Sequence, residues 1–454
     1  SVAFFFMGTY SYKGIYTLTG TGRYEGTNRL GKSRSARWLP TWNVAGAWNV
    51  HEEKFYSNFT NPVLSHATLK ASYSLTADRG PAFVTNSQAI LNSYSPWRPS
   101  ASVTESGMRI TELENSELTY EKKHEFNVGI DLGFLKNRLN LAADYYRRNN
   151  FDLIGVINTQ GAGGTIAKYA NIASMKSSGI ELTISSKNMR TKDFSWNTDF
   201  IFSKTKNEIT DLKSHANVLS LISGNGFGRE GYPVRGLFSI PFAGLTEDGL
   251  PTFINQDGQK TISSFNFQEY EKLDFLKYEG PTDPTITGSF GNILTYKNLK
   301  LNVFVTYSFG NVIRLDPVFS NAYSDLDAMP KEFKNRWMKA GDENVTNIPT
   351  IVSTRMNQQY AYLNMAYNAY NYSDVRIADG GFIRLKEISL SYDLPAKVIN
   401  FFRLNKLQLK LQATNLCLLY ADSKLNGQDP EFFRSGGVST PVPKQFTFTV
   451  RLGL

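Results

Sequence analysis

An antiparallel β-barrel wall that crosses a membrane is the fold this sequence predicts, and three features predict it. Apolar residues recur at every second position, the runs are too long for ordinary soluble strands, and the links between them alternate between short and long. The alternation is plainest from Thr119 to Asn149, where Phe126, Val128, Ile130, Leu132 and Phe134 are separated by Asn127, Gly129, Asp131 and Gly133. After a Lys136-Asn137 turn, Leu139, Leu141, Ala143 and Tyr145 alternate with Asn140, Ala142, Asp144 and Tyr146. A period of two sends successive side chains to opposite faces of a strand. Each arm runs to roughly a dozen residues, nearer the ~9–11 of a membrane strand than the ~5–6 of a globular one. In such a wall the apolar face meets lipid, and the face carrying Asn127, Asp131, Asn140 and Asp144 meets a water-filled lumen.

The other strands follow in order. Val2–Tyr12 and Ile15–Gly26 flank Lys13-Gly14, a tight-turn pair. Arg37–Val50 spreads Trp38, Trp42 and Trp48 along one strand, and a short helical link leads to His66–Thr76. A stretch rich in Ser, Pro, Gly and Asn, about 77–118, precedes the central hairpin, and an irregular stretch follows Asn149. Met175–Lys187 and Phe194–Lys204 turn around Arg190–Lys192, with Asn197 and Asp199 directed to the lumen. An insertion from Asn207 to about Asp283 holds a small hairpin with turns at Asp248-Gly249 and Asp257-Gly258. Thr285–Thr295 pairs with Leu299–Phe309. The longest excursion, Val312–Asp379, contains a short helix near 329–341 and a tyrosine-dense run. Phe382–Asp393, Lys406–Leu418 and Gln445–Leu454 complete thirteen strands. The short links take turns with long ones, as periplasmic turns and extracellular loops do in outer-membrane barrels. Bacterial single-chain barrels have an even number of strands, so further strands are expected upstream.

Composition agrees. The chain holds 31 Phe and 24 Tyr, which suits the aromatic girdles at the two edges of a barrel's apolar band. The mean hydropathy of −0.32 reads as soluble, but half of every barrel strand faces water. No apolar run approaches the ~18 residues a transmembrane helix needs. The net charge of +9 comes from basic residues scattered singly or in pairs. Without a basic helix, zinc spacing or RNA-binding signature, it argues for anionic lipid headgroups or acidic ligands rather than nucleic acid. Cys417 is the single cysteine, so no disulfide framework or thiolate metal site is expected, and its apolar strand predicts a buried or lipid-facing thiol. The opening SVAFFFMGTYSY has no charged leader and reads as the interior of a strand.

Several stretches together resemble one family. TNRLGKSRSARWLPTWNVAGAWNVHEEKF, YEKKHEFNVGIDLGFLKNRLNLAADYY, IASMKSSGIELTISS, YPVRGLFSIPFAGLTEDGLP and GGFIRLKEISLSYDLP occur in the order of recurring motifs of SusC/RagA-type TonB-dependent outer-membrane transporters. NLCLLY, DPEF and PVPKQFTFTVRLGL follow in the same order. The resemblance implies a plugged barrel of about 22 strands, of which this chain is the C-terminal part, without the plug, the TonB box or the first strands. It implies import of oligosaccharides or oligopeptides with TonB-derived energy, a SusD-like surface lipoprotein as lid, and an outer membrane of a Gram-negative cell with the C-terminus in the periplasm. The last strand, with Phe446, Phe448, Val450, Leu452 and Leu454, would be the assembly signal, although Leu454 replaces the usual terminal aromatic. A SusC-like barrel with a purely structural role and a siderophore or cobalamin receptor are the alternatives within this class, and a soluble β-adhesin or lectin lies outside it.

Candidate sites remain open between two readings. Tyr360, Tyr362, Tyr367, Tyr370 and Tyr372 lie in a predicted extracellular loop, where aromatic faces stack on sugars or clamp peptides; a long loop also needs a core of its own. Asn127, Asp131, Asn140, Asp144, Asn197 and Asp199 line a permeation path or simply wet the lumen and hold the plug. Asp248, Asn255 and Asp257 are oxygen ligands of the kind calcium takes, yet Asp-Gly turns explain them more simply, and no metal or cofactor is expected. The four scattered histidines and the absence of GxSxG or HExxH leave no catalytic constellation.

Overall fold

The computed structural model describes residues 1–453 apart from 59–62, 81–87, 98–104, 160, 162–166, 225–227, 318–330, 402–403 and 434–442. Its main sheet has thirteen strands: β1 (Val2–Tyr12), β2 (Tyr16–Gly26), β3 (Trp38–Asn49), β4 (Leu64–Asp78), β5 (Glu121–Phe134), β6 (Leu139–Asn158), β7 (Ala167–Arg190), β8 (Phe194–Leu212), β9 (Ile286–Tyr296), β10 (Leu299–Phe309), β11 (Phe382–Asp393), β12 (Lys406–Ala421) and β13 (Gln445–Gly453). Sheet order follows chain order throughout. The links 13–15, 50–63, 135–138, 191–193, 297–298 and 394–405 therefore leave one edge, and 27–37, 79–120, 159–166, 213–285, 310–381 and 422–444, which include the four longest, leave the other.

The tight links are built from left-handed backbone. Lys13 and Gly14 have φ of 55° and 71°, and Leu135, Lys136 and Asn137 lie at 52°, 60° and 58°. Positive φ in the loop matches the right-handed twist of the flanking strands. Register then sorts the side chains. Phe126, Val128, Ile130, Leu132 and Phe134 of β5 face Arg147, Tyr145, Ala143, Leu141 and Leu139 of β6, and Leu69 and Tyr73 of β4 join the same row. In the later strands Phe290 faces Phe200 and Val305, and Leu390 faces Leu301 and Leu411. Many of these side chains stay exposed, Leu411 by 58%, Phe290 by 43% and Phe126 by 44%, and others such as Ile130, Leu132 and Phe200 are half-buried. A wall of exposed large hydrophobes is stable only if something other than water covers it. Aromatic rings gather at both ends of this face, with Tyr16 stacked on Trp48 near the short links and Tyr24 on Trp38 near the long ones. No helix among the described residues is long and apolar enough to cross a membrane.

Three expectations need correction. The irregular stretch after Asn149 does not begin there, because β6 runs on to Asn158. Polar residues do not end a strand whose neighbour supplies ladder partners, and His124, Lys123 and Lys122 supply them to Asn149, Asn150 and Phe151. The turn-rich stretch after Ala77 contains a two-stranded sheet, Ile90–Tyr94 with Gly107–Glu112. The described part of the helix expected near 329–341 is a 3-10 turn, Lys331–Asn335, followed by a second at Asp342–Asn344. Gly341 at φ 100° separates them, and the Asp342 carboxylate draws the chain round by accepting the amides of Met338 and Lys339.

The chain forms two compact units, residues 1–184, 205–215 and 230–232, and residues 185–204, 216–229 and 233–454. The first has a small core of Leu30, Leu118 and Tyr120 against Leu39, Ala77, Ile154 and Tyr169. It locks the 27–37 link to the entry of β5, where Gly31 donates its amide to Leu118. The second holds the large loop assembly.

Candidate functional site

Within the second unit, two excursions of the long-link edge, 213–285 and 310–381, fold on themselves. Gly236–Ser239 pairs with Lys277–Pro281, Phe242–Leu245 with Pro251–Ile254, and Val312–Arg314 with Ile377–Asp379. The Asp248-Gly249 and Asp257-Gly258 turns lie in a three-stranded sheet that adds Lys260–Thr261. Short helices at Thr354–Gln359 and Leu363–Asn371 pack Leu363, Ala366 and Tyr367 against Leu250. A second core joins Ile313, Leu315 and Ala378 to Leu425 and Phe433.

The tyrosine run is divided by this packing. Tyr367 and Tyr370 are each 1% exposed; Tyr367 donates to the Thr350 carbonyl, and Tyr370 stands edge-on to Phe242. Their rings form the loop core, with Tyr370 also lining the cavity beside it. Tyr372 packs against the Arg314 guanidinium. Tyr360 donates its hydroxyl to Asp248 at 3.0 Å, and Tyr362 stands 69% exposed at a left-handed position before the helix. Asp248, Asn255 and Asp257 do not converge. Asn255 is buried and accepts the amides of Asp257 and Gln259, while Asp257 pairs with Lys272 at 2.7 Å.

Beside this core lies a cavity of about 650 Å³, lined among others by Glu332, Asn335, Arg336, Asn347, Tyr370 and Arg376. Arg376 is 2% exposed, bonds the Glu332 carboxylate at 2.6 Å and donates to the Asp316 carbonyl at 2.5 Å. Burial pushes the Tyr370 hydroxyl up to about 12, against the opposing charge of Arg376. The wall thus mixes amide, guanidinium, carboxylate and phenol groups with the apolar side chains of Leu315, Val345, Ile348 and Val375.

The sequence reading missed the buried arginines. Arg314 donates to the carbonyls of Phe238 and Ser373, and Arg384 pairs with Asp429 at 2.5 Å and Glu431 at 3.2 Å. Each buried arginine is flanked by aliphatics (Ile313-Arg314-Leu315, Val375-Arg376-Ile377, Ile383-Arg384-Leu385). A charge set between apolar neighbours is the signal that would have found them, since buried charge needs a partner.

On the main sheet, Asn127, Asp131, Asn140 and Asp144 share one face, opposite the apolar row. Asp131 pairs with Lys70, and Gly129 leaves the space that the Asp144 carboxylate fills. Asn197 and Asp199 face Ile293 and Gly291, away from the Phe200–Phe290 row, and Asp199 accepts from Ser185 at 2.7 Å. In β13, Phe446, Phe448, Val450 and Leu452 face Ala413, Leu411, Leu409 and Leu407; Leu454 lies outside the described residues. Cys417 is exposed on the apolar face opposite Leu385.

Residues 1–416 match the family model described as TonB dependent receptor-like, beta-barrel. The chain is 24% identical to TonB-dependent receptor P3 of Formosa agariphila, over 93% of this chain and 41% of that protein. It is 26% identical to TonB-dependent receptor SusC of Bacteroides thetaiotaomicron, over 100% of this chain and 43% of that protein. It thus spans less than half the length of these relatives. Among solved structures it resembles the RagAB peptide transporter, with a TM-score of 0.79 and 23% identity over 99% of this chain and 47% of that one. Thirteen antiparallel strands in chain order, an exposed apolar face and the extent of the family match give one conclusion: the chain belongs to the TonB-dependent receptor β-barrel family.

Proposed function

We propose that this chain is wall and surface loops of a SusC/RagA-type importer, which takes oligosaccharides or oligopeptides across the outer membrane of a Gram-negative cell. TonB supplies the energy and a SusD-like lipoprotein covers the loops as a lid. The observation that carries this reading is the segregation of the links: the four longest excursions (79–120, 213–285, 310–381 and 422–444) all leave one edge of an apolar-faced sheet, and in the second unit these excursions build a core with a cavity of mixed lining beside it. Short periplasmic turns and elaborate outer loops are the asymmetry of an outer-membrane barrel. The relatives support it, one being a SusC and one structural neighbour a peptide transporter. β13 runs toward the short-link edge, so the C-terminus is periplasmic in this reading. The row of Asn127, Asp131, Asn140, Asp144, Asn197 and Asp199 then faces the lumen, and Tyr360 and Tyr362 are the rings of the tyrosine run open to cargo.

The test is native mass spectrometry of the full-length protein extracted from outer membranes under mild detergent. A complex with a lipoprotein and a bound oligomer is the expected result. Recovery of the protein alone in the aqueous fraction would overturn the reading.

A further inference from the structure

On β6 the apolar row Leu139, Leu141, Ala143, Tyr145 ends in Arg147, which lies opposite Phe126. On β8 the positions that hold Phe200 and Phe202 continue as Lys204, Lys206 and Glu208, and on β7 those of Leu182 and Ile180 continue as Ser178 and Lys176. The inward face is marked separately by the Tyr146 hydroxyl on Thr205, at 3.2 Å. Arg147, Lys176 and Lys206 therefore crown the apolar face. With Tyr145, Ser178 and Glu208 they line a cavity of about 300 Å³. Lys206 lies about 40 Å along β8 from the 191–193 turn at ~3.3 Å per residue. With a tilt near 40° that is about 30 Å of height, just above an apolar band about 25 Å tall.

The charge at this height is unbalanced. Glu208 pairs with Lys176 at 2.9 Å and sits 3.9 Å from Lys206. Arg147 is exposed and makes no ion pair among the described residues, and Lys206 is 80% exposed. Three cations meet one carboxylate. By contrast, Arg148 on the opposite face is matched to Glu125. We propose that this cavity binds the phosphate of an anionic lipid headgroup, with the acyl chains lying along Tyr145, Ile180 and Leu182 below it. Basic clusters at the membrane surface recognise lipids in this way. The placement against an apolar band selects a lipid over a soluble anion, and it rests on the outer-membrane reading above.

The test titrates the detergent-purified full-length protein with dioleoylphosphatidylglycerol by native mass spectrometry, with uncharged digalactosyldiacylglycerol in parallel. Tighter binding of the phospholipid is expected, weakened about tenfold or more in Arg147→Ser/Lys176→Ser/Lys206→Ser. Glu208→Gln should tighten it two- to three-fold, a gain that misfolding does not mimic. Equal binding of the phospholipid by wild type and triple variant overturns the proposal, as does equal affinity for the uncharged lipid. Displacement of the lipid by millimolar inorganic phosphate also overturns it, in favour of a free-anion site. Failure of the protein to enter the detergent phase would instead refute the outer-membrane reading itself.

Discussion

The Arg384→Met variant offers a direct measure of what holds the last long link. Arg384 stands on β11 and is 3% exposed, and its partner Asp429 is 6% exposed. Asp429 also caps the turn Pro430–Phe432 by accepting the Glu431 amide. Removing the guanidinium leaves a buried carboxylate without a counter-charge, and breaking such a pair costs about 3–5 kcal/mol. Arg384 Nε is itself buried without a hydrogen-bond partner. The wild-type pair already carries a desolvation cost, so the lower end, about 3 kcal/mol, is expected. The loss is local, because residues 422–433 can lift away while the β11–β12 ladder persists. At ~1.4 kcal/mol per tenfold, hydrogen exchange of 422–433 should accelerate by about two orders of magnitude. Adding Asp429→Asn keeps the cap, removes the stranded charge and should restore most of the protection. Unchanged exchange in Arg384→Met would refute the argument, and so would a double variant as labile as the single.

Other outcomes follow from the same geometry. Leu411→Arg, on the exposed apolar face, should cost about 2–4 kcal/mol in denaturant unfolding from lipid, whereas Gln412→Arg on the opposite face should cost less than about 1; equal costs would mean the faces are misassigned. Gly31→Ala brings a Cβ against the carbonyls of Ser116 and Leu118, and should loosen the 27–37 link by about 1–3 kcal/mol, read as faster tryptic cleavage at Lys32 and Arg34. Tyr370 titrates at about 12 rather than 10.0 because burial disfavours the phenolate. A folded-state value above the unfolded one gives stability that is complete below pH 10 and lost as pH rises through about 12. Ultraviolet titration of Tyr370→Phe should therefore lose one tyrosine from the late phase and none from the phase near pH 10.

The wall was legible and the loops were not, for one physical reason. A strand of the wall is specified by its own alternation: the row from Phe126 to Phe134 names its face without knowledge of any partner, and the short links name the hairpins. Loop structure depends on contacts far apart in sequence. Nothing near Tyr370 announces that Phe242 will stand against it, or that Asp248 will accept the Tyr360 hydroxyl. A tyrosine-dense run therefore reads the same whether its rings are core or surface. The extent of β6 was hidden for a related reason, since Asn149 and Asn150 are poor strand residues alone and are held by β5. The buried arginines were written in the chain as charges between aliphatics, but their carbonyl and carboxylate partners could not be placed without the fold.

Because sheet order repeats chain order and the long links share an edge, lengthening one of them moves no register in the wall. Closing a loop grows dearer only as the logarithm of its length, about 0.6 kcal/mol for each doubling. The link at 310–381 can thus gain or lose a helix while β10 and β11 keep their pairing of Leu299 with Tyr392 and Ser308 with Phe382. Variation in the long links is thereby uncoupled from the ladder of the wall. Sequence change can be confined to one edge of the sheet and leave the other, with its tight turns at 135–138 and 297–298, as it was.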